Sequence, residues 1–401
     1  MMTSVQSKPI DDCVDQFINH LKRSRFIELF GDLKNNSRGW PMLPLVCLSS
    51  NIGDGLHGTP VYDEHGEYAF VNGNNLRGGV IVIDTKTKMV GREQYEKYSI
   101  PLDDTTVLVS INGTLGNVAF YRNEPIILGK SACYINLDTG RVNKYFFKAL
   151  IDSPYFLEYI ESEKTGTTIN NISLKSIRSL MVPLPPMELQ LSYVEYDKQV
   201  DLIKEILKQI VSKHNQLVKS RFIEMFDGCD KAPLTEMADI TMGQSPDSST
   251  YNDQGIGVPF FQGKTEFTDT FVRINKYCTE PKKMAKRMDI LMSVRAPVGA
   301  VNLTSQECCI GRGLAAITPK DGVTDVWFLF NALRIMEQQI SDMGVGSTFT
   351  AISKDDMKKI KIPVAPLLLQ NQFSDFVKQV DKSKFGIIKT AQKIVNPPQT
   401  L

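Results

Sequence analysis

An internal repeat constrains the fold of this 401-residue chain more than any other feature of its sequence. The segment RSRFIELF at residues 23–30 returns as KSRFIEMF at residues 219–226, with six of the eight residues identical. A second pair joins MVPLPPMELQ at residues 181–190 to KIPVAPLLLQ at residues 361–370, and the tetrapeptide KQVD lies downstream of both. Such repeats define the structural unit and have to be recognised before any fold is predicted.

Residues 189–217 are predicted to form one long helix. Apolar or aromatic side chains recur at alternating spacings of four and three residues, which is the heptad pattern of a coiled coil. The predicted seam consists of Leu189, Tyr193, Tyr196, Val200, Ile203, Leu207, Ile210, His214 and Leu217. No glycine or proline interrupts residues 187–227, so about forty residues would form a rod of about 60 Å. This rod predicts a spacer between two domains, although an ordinary long core helix remains the simpler alternative.

The two repeats occur in a permuted order. The central segment holds one copy of the helix as a continuous stretch, whereas the other copy is divided between residues 10–30 and residues 368–395. If the two ends of the chain meet, the molecule acquires pseudo-two-fold symmetry and a pair of antiparallel coiled-coil helices. The seam would then be filled from within one chain, so we expect no homo-oligomer.

The segments between the helices predict two β-rich globular domains. Their short apolar runs are bounded by Gly, Asn and Asp, which is typical of strands joined by turns. VLVSINGTLG at residues 107–116 aligns with ILMSVRAPVG at residues 290–299, and ILGK at residues 127–130 aligns with CIGR at residues 309–312. The predicted fold class is therefore α+β, with two β-rich domains separated by long helices. The predicted segments are an N-terminal helix 1–30, a first globular domain 31–186, a central helical spacer 187–228, a second globular domain 229–366 and a C-terminal helical spacer 367–401.

Composition limits the classes of function. Hydrophobic residues make up 42% and charged residues 23% of the chain, and the net charge is +1, which is ordinary for a globular protein. A chain that held nucleic acid by non-specific attraction alone would be more basic. Either nucleic acid is therefore not the partner, or phosphate contacts are confined to one face or shared with other subunits. The seven cysteines form no CxxC motif and indicate free thiols in a reducing compartment. No signal peptide and no apolar run of about 18 residues is found, so a cytoplasmic protein without membrane contact is predicted.

These features together resemble the specificity subunit of type I restriction-modification enzymes. The resemblance covers nearly the whole chain and rests on the permuted repeat, on PLPPMELQ at residues 183–190, and on GQSP at residues 243–246 followed by PFFQG at residues 259–263. It implies that each globular domain is a target-recognition domain for one half of a bipartite double-stranded DNA sequence. It further implies that the helices set the distance between the half-sites and dock two modification (methyltransferase) subunits, which restriction (translocase/nuclease) subunits join.

The resemblance also implies that this chain is a non-catalytic subunit that holds no cofactor or metal. S-adenosylmethionine, ATP and Mg²⁺ are expected on the partner subunits. NPPQ at residues 396–399 lacks the aromatic residue of the adenine methyltransferase loop, and GKS at residues 129–131 lacks the upstream glycine of a P-loop. The alternative function is a non-enzymatic adaptor with duplicated protein-binding domains, and a complete methyltransferase is disfavoured because its cofactor motifs are missing.

Polar side chains on the predicted loops are the candidate DNA contacts, because Asn and Gln pair with adenine and Arg and Lys with guanine. In the first domain these are His57, Thr59, Asn72, Asn74, Asn112, Lys130, Thr167, Thr168 and Asn170. In the second domain they are Gln244, Ser245, Gln262, Lys264, Arg295, Arg312, Ser347 and Thr348. Lys130 and Arg312 hold equivalent positions after a glycine, which indicates a scaffold or phosphate role for both. The alternative for each residue is that it only forms a turn.

Overall fold

A computed structural model of the protein describes residues 10–163, 171–343 and 351–395. The chain forms two compact units, a first unit of Asn19–Asp201 and a second unit of Met1–Ile18 with Leu202–Leu401. Each unit combines helices with β-sheets, so the predicted α+β class is confirmed. The predicted domain boundaries, which treat the long helices as separate segments, stay a prediction.

The helices α1 to α11 follow one another in chain order. They are α1 Ile10–Phe30, α2 Arg92–Tyr98, α3 Lys144–Ile151, α4 Pro154–Glu163, α5 Leu174–Ser179, α6 Met187–Phe226, α7 Leu234–Met237, α8 Val326–Ile335, α9 Glu337–Asp342, α10 Lys354–Lys358 and α11 Leu367–Val395. Helix α6 is continuous over 40 residues, as the absence of glycine and proline predicts. None of the described helices is long and apolar enough to cross a membrane.

The strands are short, and most of them occur in pairs of equivalent position in the two units. The first unit contains β1 Met42–Pro44, β2 Ser49–Asp54, β3 Tyr68–Val71, β4 Leu76–Arg77, β5 Val80–Ile81, β6 Met89–Val90, β7 Thr106–Ser110, β8 Val118–Phe120, β9 Ile126–Leu128, β10 Ala132–Leu137 and β11 Met181–Pro183. The second unit contains β12 Lys231–Pro233, β13 Ala238–Met242, β14 Tyr251–Asn252, β15 Val258–Phe261, β16 Tyr277–Cys278, β17 Met284–Ala285, β18 Ile290–Ser293, β19 Val301–Leu303, β20 Cys308–Ile310, β21 Leu314–Pro319 and β22 Lys361–Pro363.

The first unit is built on a four-stranded antiparallel sheet of order β2-β10-β7-β8. Strand β10 lies in the middle, where Ile135 pairs with Ile52 on one side and with Val107 on the other. Every residue of β7 and β10 is buried, which explains why most of their residues are apolar. A second sheet of order β6-β3-β9 contains a parallel pair, β3 with β9.

The second unit repeats this plan. Its four-stranded antiparallel sheet has the order β13-β21-β18-β19, and its second sheet has the order β14-β16-β15-β20-β17 with β15 parallel to β20. The equivalence of the two units, inferred from weak sequence similarity, therefore extends to the strand order and direction of the four-stranded sheets and to the parallel pair of the second sheets, although the second sheet has three strands in one unit and five in the other.

Aromatic side chains fill the core where the long helices meet each sheet. In the first unit, Phe30 lies 4.9 Å from Phe146 and 5.7 Å from Tyr193 between ring centroids. In the second unit, Phe226 lies 4.8 Å from Phe328 and 5.6 Å from Phe373. Phe30 and Phe226 are the last residues of the repeated octapeptide, so the sequence identity reflects one packing arrangement used twice.

A buried glutamine explains the second repeated segment. Gln190 accepts a hydrogen bond from the backbone N–H of Asn143 (2.9 Å) and donates to the carbonyl of Pro185 (2.9 Å). In the second unit, Gln370 accepts from the N–H of Asp325 (2.9 Å) and donates to the carbonyl of Ala365 (2.8 Å). Each glutamine therefore fixes the start of a long helix to the residue that caps α3 or α8.

The predicted seam of α6 is correct in its first part and wrong at its end. Tyr193, Val200 and Leu207 are buried, but Leu217 is 49% exposed. After Leu207 the buried apolar positions of α6 are Val211, Phe222 and Phe226. An α-helix has 3.6 residues per turn, so its buried face drifts away from a strict heptad over several turns.

Near the end of each globular domain lies a helical region that is divided into two helices in both units. Residues 144–162 form α3 and α4 with a break before Pro154. Proline cannot donate a backbone hydrogen bond, which ends α3 there. Residues 325–342 form α8 and α9 with a break at Met336.

A buried ion-pair network ties α11 to a loop of the second unit. Lys384 is 1% exposed, and its Nζ lies 3.0 Å from Asp269 Oδ2 and 3.3 Å from Asp381 Oδ1. Arg334 reaches the other carboxylate oxygen of Asp269 at 3.0 Å. Burial raises the pKa of Asp269, but the attraction of Arg334 and Lys384 outweighs burial and holds this pKa below its ordinary value of 3.8.

Replacing Lys384 with alanine is expected to lower the free energy of unfolding by about 3 kcal/mol, because a buried carboxylate loses one of its charged partners. Since the pKa of Asp269 is lowered in the folded state, its contribution is complete above pH 3.8 and is lost as the pH falls through the folded-state pKa. The variant should therefore lose less stability than the wild type between neutral and acidic pH.

Urea unfolding at pH 7 and below pH 4 measures both effects. Lys382→Ala is the matched control, because Lys382 is exposed on the same helix. Equal stabilities of the two variants at pH 7 would show that the Lys384 network does not stabilise the second unit.

Candidate functional site

Four loops of the second unit converge at one end of its sheets. The N–H of Gln244 donates to the carbonyl of Ile310 (3.0 Å), and the N–H of Gly311 donates to the carbonyl of Phe261 (2.8 Å). The N–H of Val294 donates to the carbonyl of Gly313 (2.9 Å). These bonds join the four segments that follow β13, β15, β18 and β20. We call these four segments the second loop cluster.

The second loop cluster surrounds a cleft of about 600 Å³. Five of the predicted DNA contacts line this cleft, namely Ser245, Gln262, Lys264, Arg295 and Arg312. Gln244, a sixth predicted contact, is exposed next to Ser245. These residues were chosen by residue type and loop position, and the fold brings them together although they lie up to 67 residues apart in the chain. For example, the N–H of Arg312 donates a hydrogen bond to Ser245 Oγ at 3.1 Å.

The first unit forms an equivalent first loop cluster. The N–H of Leu56 donates to the carbonyl of Leu128 (2.7 Å), the N–H of Gly129 to the carbonyl of Val71 (2.8 Å), and the N–H of Ile111 to the carbonyl of Ser131 (3.0 Å). These bonds assign equivalent positions in the two clusters. The pairs are His57 with Ser245, Asn72 with Gln262, Asn74 with Lys264, Asn112 with Arg295, and Lys130 with Arg312.

Glycines allow the loops to approach so closely. A Cβ atom at Gly243 would lie 2.1 Å from the carbonyl oxygen of Gly311, and a Cβ atom at Gly55 would lie 2.1 Å from that of Leu128. Both obstacles are backbone atoms, which cannot rotate away as a side chain can. Glycine is therefore required at both positions for close backbone contact.

The cleft within the second loop cluster, which we call the second cleft, is positively charged. Lys264, Arg295 and Arg312 are exposed, and none of them has an ion-pair partner among the residues that the structure describes. Three cations around a concave surface create a local positive potential, which the near-neutral net charge of the whole chain conceals. Such a cleft can bind phosphate groups and the acceptor atoms of bases.

The first loop cluster carries less charge and more internal hydrogen bonds. His57 Nε2 lies 2.7 Å from Asp54 Oδ2. Asn72 Oδ1 accepts a hydrogen bond from Ser131 Oγ (2.9 Å), and that hydroxyl accepts one from the N–H of Gly73 (2.9 Å). Asn72 therefore stabilises the cluster, a role that its position in the sequence did not reveal. Asn74 and Lys130 are exposed, and Asn112 is half-buried.

The remaining predicted DNA contacts are not among the residues paired between the two loop clusters. Thr59 is exposed two residues beyond His57. Thr167, Thr168, Asn170, Ser347 and Thr348 lie outside the described residues. The residues that follow these two segments adjoin the clusters, because Asn171 forms a bridge with Asn112 and Ala351 forms a bridge with Arg295.

Two serines of the site were not predicted from the sequence. Ser293 Oγ donates to the carbonyl of Arg295 (2.9 Å), and Ser110 Oγ donates to the carbonyl of Thr114 in the equivalent loop. Both therefore shape the turn that presents Arg295 or Asn112. The sequence could have identified them, because serine occupies the same place in the aligned segments VLVSING and ILMSVRA.

Among the described residues, no group of three or more His, Cys, Asp or Glu side chains could hold a metal ion. Glu266, near the second cleft, has a raised pKa because of burial, which its own backbone N–H, Lys276 and Arg273 oppose.

The chain matches the family model described as the type I restriction modification DNA specificity domain twice, over residues 59–213 and 227–396. It is similar to the putative type I restriction enzyme MjaX specificity subunit of Methanocaldococcus jannaschii, with 32% identity over 77% of this chain and 80% of that protein. It is also similar to the MjaVIII specificity subunit of the same organism, with 22% identity over 59% of this chain and 65% of that protein.

A solved structure that concerns the complex assembly and conformational transition of the type I R-M system is similar in fold. Its TM-score is 0.57 with 27% identity, and the match covers 88% of this chain and 93% of that one. The two matched regions cover most of the two β-rich parts of the chain, with all of the second loop cluster and the first loop cluster from residue 59 onward. On these grounds the chain belongs to the family of specificity subunits of type I restriction-modification systems.

Proposed function

We propose that this chain directs a type I restriction-modification complex to DNA by reading a bipartite duplex sequence, one half with each loop cluster. The chain would act in the cytoplasm as a non-catalytic subunit. S-adenosylmethionine, ATP and Mg²⁺ would be bound by the modification and restriction subunits that assemble with it.

The duplicated loop cluster carries this proposal. The same backbone hydrogen bonds build both clusters, yet the polar side chains differ at most of the equivalent positions. A scaffold that served one repeated ligand would be expected to keep the same side chains in both copies. One scaffold with two sets of base-reading side chains suits a ligand whose two halves have different sequences.

The exposed face of α6 supports a protein partner. Leu202 is 62% exposed and Ile206 is 46% exposed. Together with Leu217 they occupy one side of the helix, because spacings of four and eleven residues return to nearly the same face. Exposed apolar side chains on one face suit burial against another subunit. We propose that modification subunits dock on it.

An adaptor that binds only proteins is the alternative. The apolar face of α6 would serve that function equally well. The three cations of the second cleft, which form no ion pair with any residue that the structure describes, favour DNA because they match the phosphates and guanine acceptors of a duplex.

Selection from a random duplex library tests the proposal. The full chain, purified with the modification subunit of its own genome, is expected to enrich two short fixed segments separated by a constant number of unspecified base pairs. Enrichment of one contiguous segment, or of none, would refute the bipartite function. The modification subunit purified alone provides the control and should enrich no bipartite sequence.

A further inference from the structure

The two loop clusters have a cation at one equivalent position and chemically different side chains at another. Lys130 and Arg312 follow equivalent glycines and are both exposed cations. A cation at the same place in both clusters suits a phosphate group, which is present at every base pair and carries no sequence information. Arg295 and Asn112 also occupy equivalent places, but one is a cation and the other a neutral amide.

The surroundings of Arg295 leave its guanidinium available to a ligand. The residue lies in the turn after β18, where the Ser293 hydroxyl holds its carbonyl oxygen at 2.9 Å. Its exposed side chain lines the second cleft together with Gln262 and Lys264. Among the described residues no side chain forms a hydrogen bond or ion pair with the guanidinium. The backbone of Arg295 is therefore fixed while its donors face the cleft.

The clusters also differ at the equivalent pair Asn72 and Gln262, and this difference supports base reading by the second cleft. Asn72 is engaged by Ser131, whose hydroxyl donates to its Oδ1 at 2.9 Å. Gly313 takes the place of Ser131 in the second cluster, so Gln262 has no serine to bind and is exposed in the cleft. Among the described residues, the guanidinium and the amide in the second cleft thus have no side-chain partner, whereas the first loop cluster presents the amide of Asn112.

We propose that Arg295 specifies a guanine in the half-site read by the second cluster and that Asn112 specifies an adenine at the corresponding place of the other half-site. An arginine fork donates two parallel hydrogen bonds to O6 and N7 of guanine, and an asparagine amide pairs with N6 and N7 of adenine in the major groove. The proposal rests on the proposed function, because it assumes that both clusters face duplex DNA.

The test is selection from duplexes randomised in both half-sites, using the full chain with its modification subunit. Arg295→Gln is expected to reduce the preference for guanine at one position about ten- to a hundredfold and to leave the other half-site unchanged. Asn112→Ala is expected to reduce the preference for adenine at one position of the other half-site by a similar factor.

Arg312→Gln is the matched control. It should weaken binding to all sequences alike and lower the slope of log affinity against log salt by about one. If Arg295→Gln behaves in the same way, with its guanine preference intact, Arg295 contacts phosphate and the proposal is wrong. It is also wrong if Arg295→Gln and Asn112→Ala alter the same half-site.

Two further outcomes keep the test decisive. If Arg295→Gln abolishes binding, Arg295→Lys preserves the charge without the planar fork and should bind with a reduced guanine preference. An unchanged preference in Arg295→Lys would contradict the proposal. If the wild-type complex enriches no sequence at all, the proposed function fails, and this result is distinguishable from a wrong assignment of Arg295.

Discussion

Deleting residues 205–208 from α6 is expected to shorten the gap between the two half-sites by one or two base pairs and to leave both half-site sequences unchanged. Four helical residues span about 6 Å, and one base-pair step of duplex DNA rises about 3.4 Å. The expected change therefore follows if α6 sets the distance between the two reading units.

The structure indicates why this deletion can be tolerated. Ile203 would take the buried place of Leu207, which keeps an apolar side chain in the seam. Lys204 would take the place of Lys208, whose Nζ lies 3.3 Å from Asp15 Oδ1. A deletion of four residues thus advances the helix by about one turn and restores the same kinds of contact.

Library selection with the deletion variant measures the gap directly. The control is the double substitution Glu205→Ala and Gln209→Ala, which alters exposed residues and preserves the length of α6. That control should keep the wild-type gap. A deletion variant that keeps the wild-type gap but selects a different half-site sequence would show that α6 is not the spacer.

Gly243→Ala and Gly55→Ala are expected to impair opposite halves of the target. In each variant the new Cβ atom would meet a backbone carbonyl oxygen at 2.1 Å, that of Gly311 or of Leu128. Relief requires the loops to separate, at a cost of about 1–3 kcal/mol, which breaks the hydrogen bonds that bring the reading side chains together. We expect at least about tenfold weaker discrimination in the half-site of the altered unit.

Equilibrium binding to duplexes with one scrambled half-site checks this result. Gly263→Ala is the matched control, because its Cβ atom would meet nothing within 4 Å although Gly263 lines the same cleft. It should bind as the wild type does. If Gly243→Ala and Gly55→Ala weakened recognition of the same half-site, the assignment of one half-site to each unit would be wrong.

Much of this fold was predictable because the sequence contains it twice. The octapeptide ending in Phe30 or Phe226 and the segment ending in Gln190 or Gln370 mark the places where the long helices join each core. A repeated segment reports a repeated environment even when the environment itself is unknown. The convergence of Gln262, Arg295 and Arg312 was also predictable, because each follows a buried strand of the aligned units.

Other features depend on contacts that no local pattern encodes. The exposure of Leu217 depends on a drift of the helix over several turns, which a heptad assignment ignores. The hydrogen bond between Asn72 and Ser131 joins residues 59 positions apart. The local sequence therefore could not show that the Asn72 side chain is engaged within the protein and is not available to bind a base. Lys384 is buried against Asp269 across 115 positions and could not be identified as a core residue from its own helix.

Base-resolution mapping of methylated adenine tests whether this chain determines which DNA sequence its complex modifies. Genomic DNA would be compared between cells with the complete system and cells that lack only this chain. We expect methylation at one bipartite sequence in the first cells and its complete loss in the second. Methylation of the same sequence in both cell types would contradict this expectation.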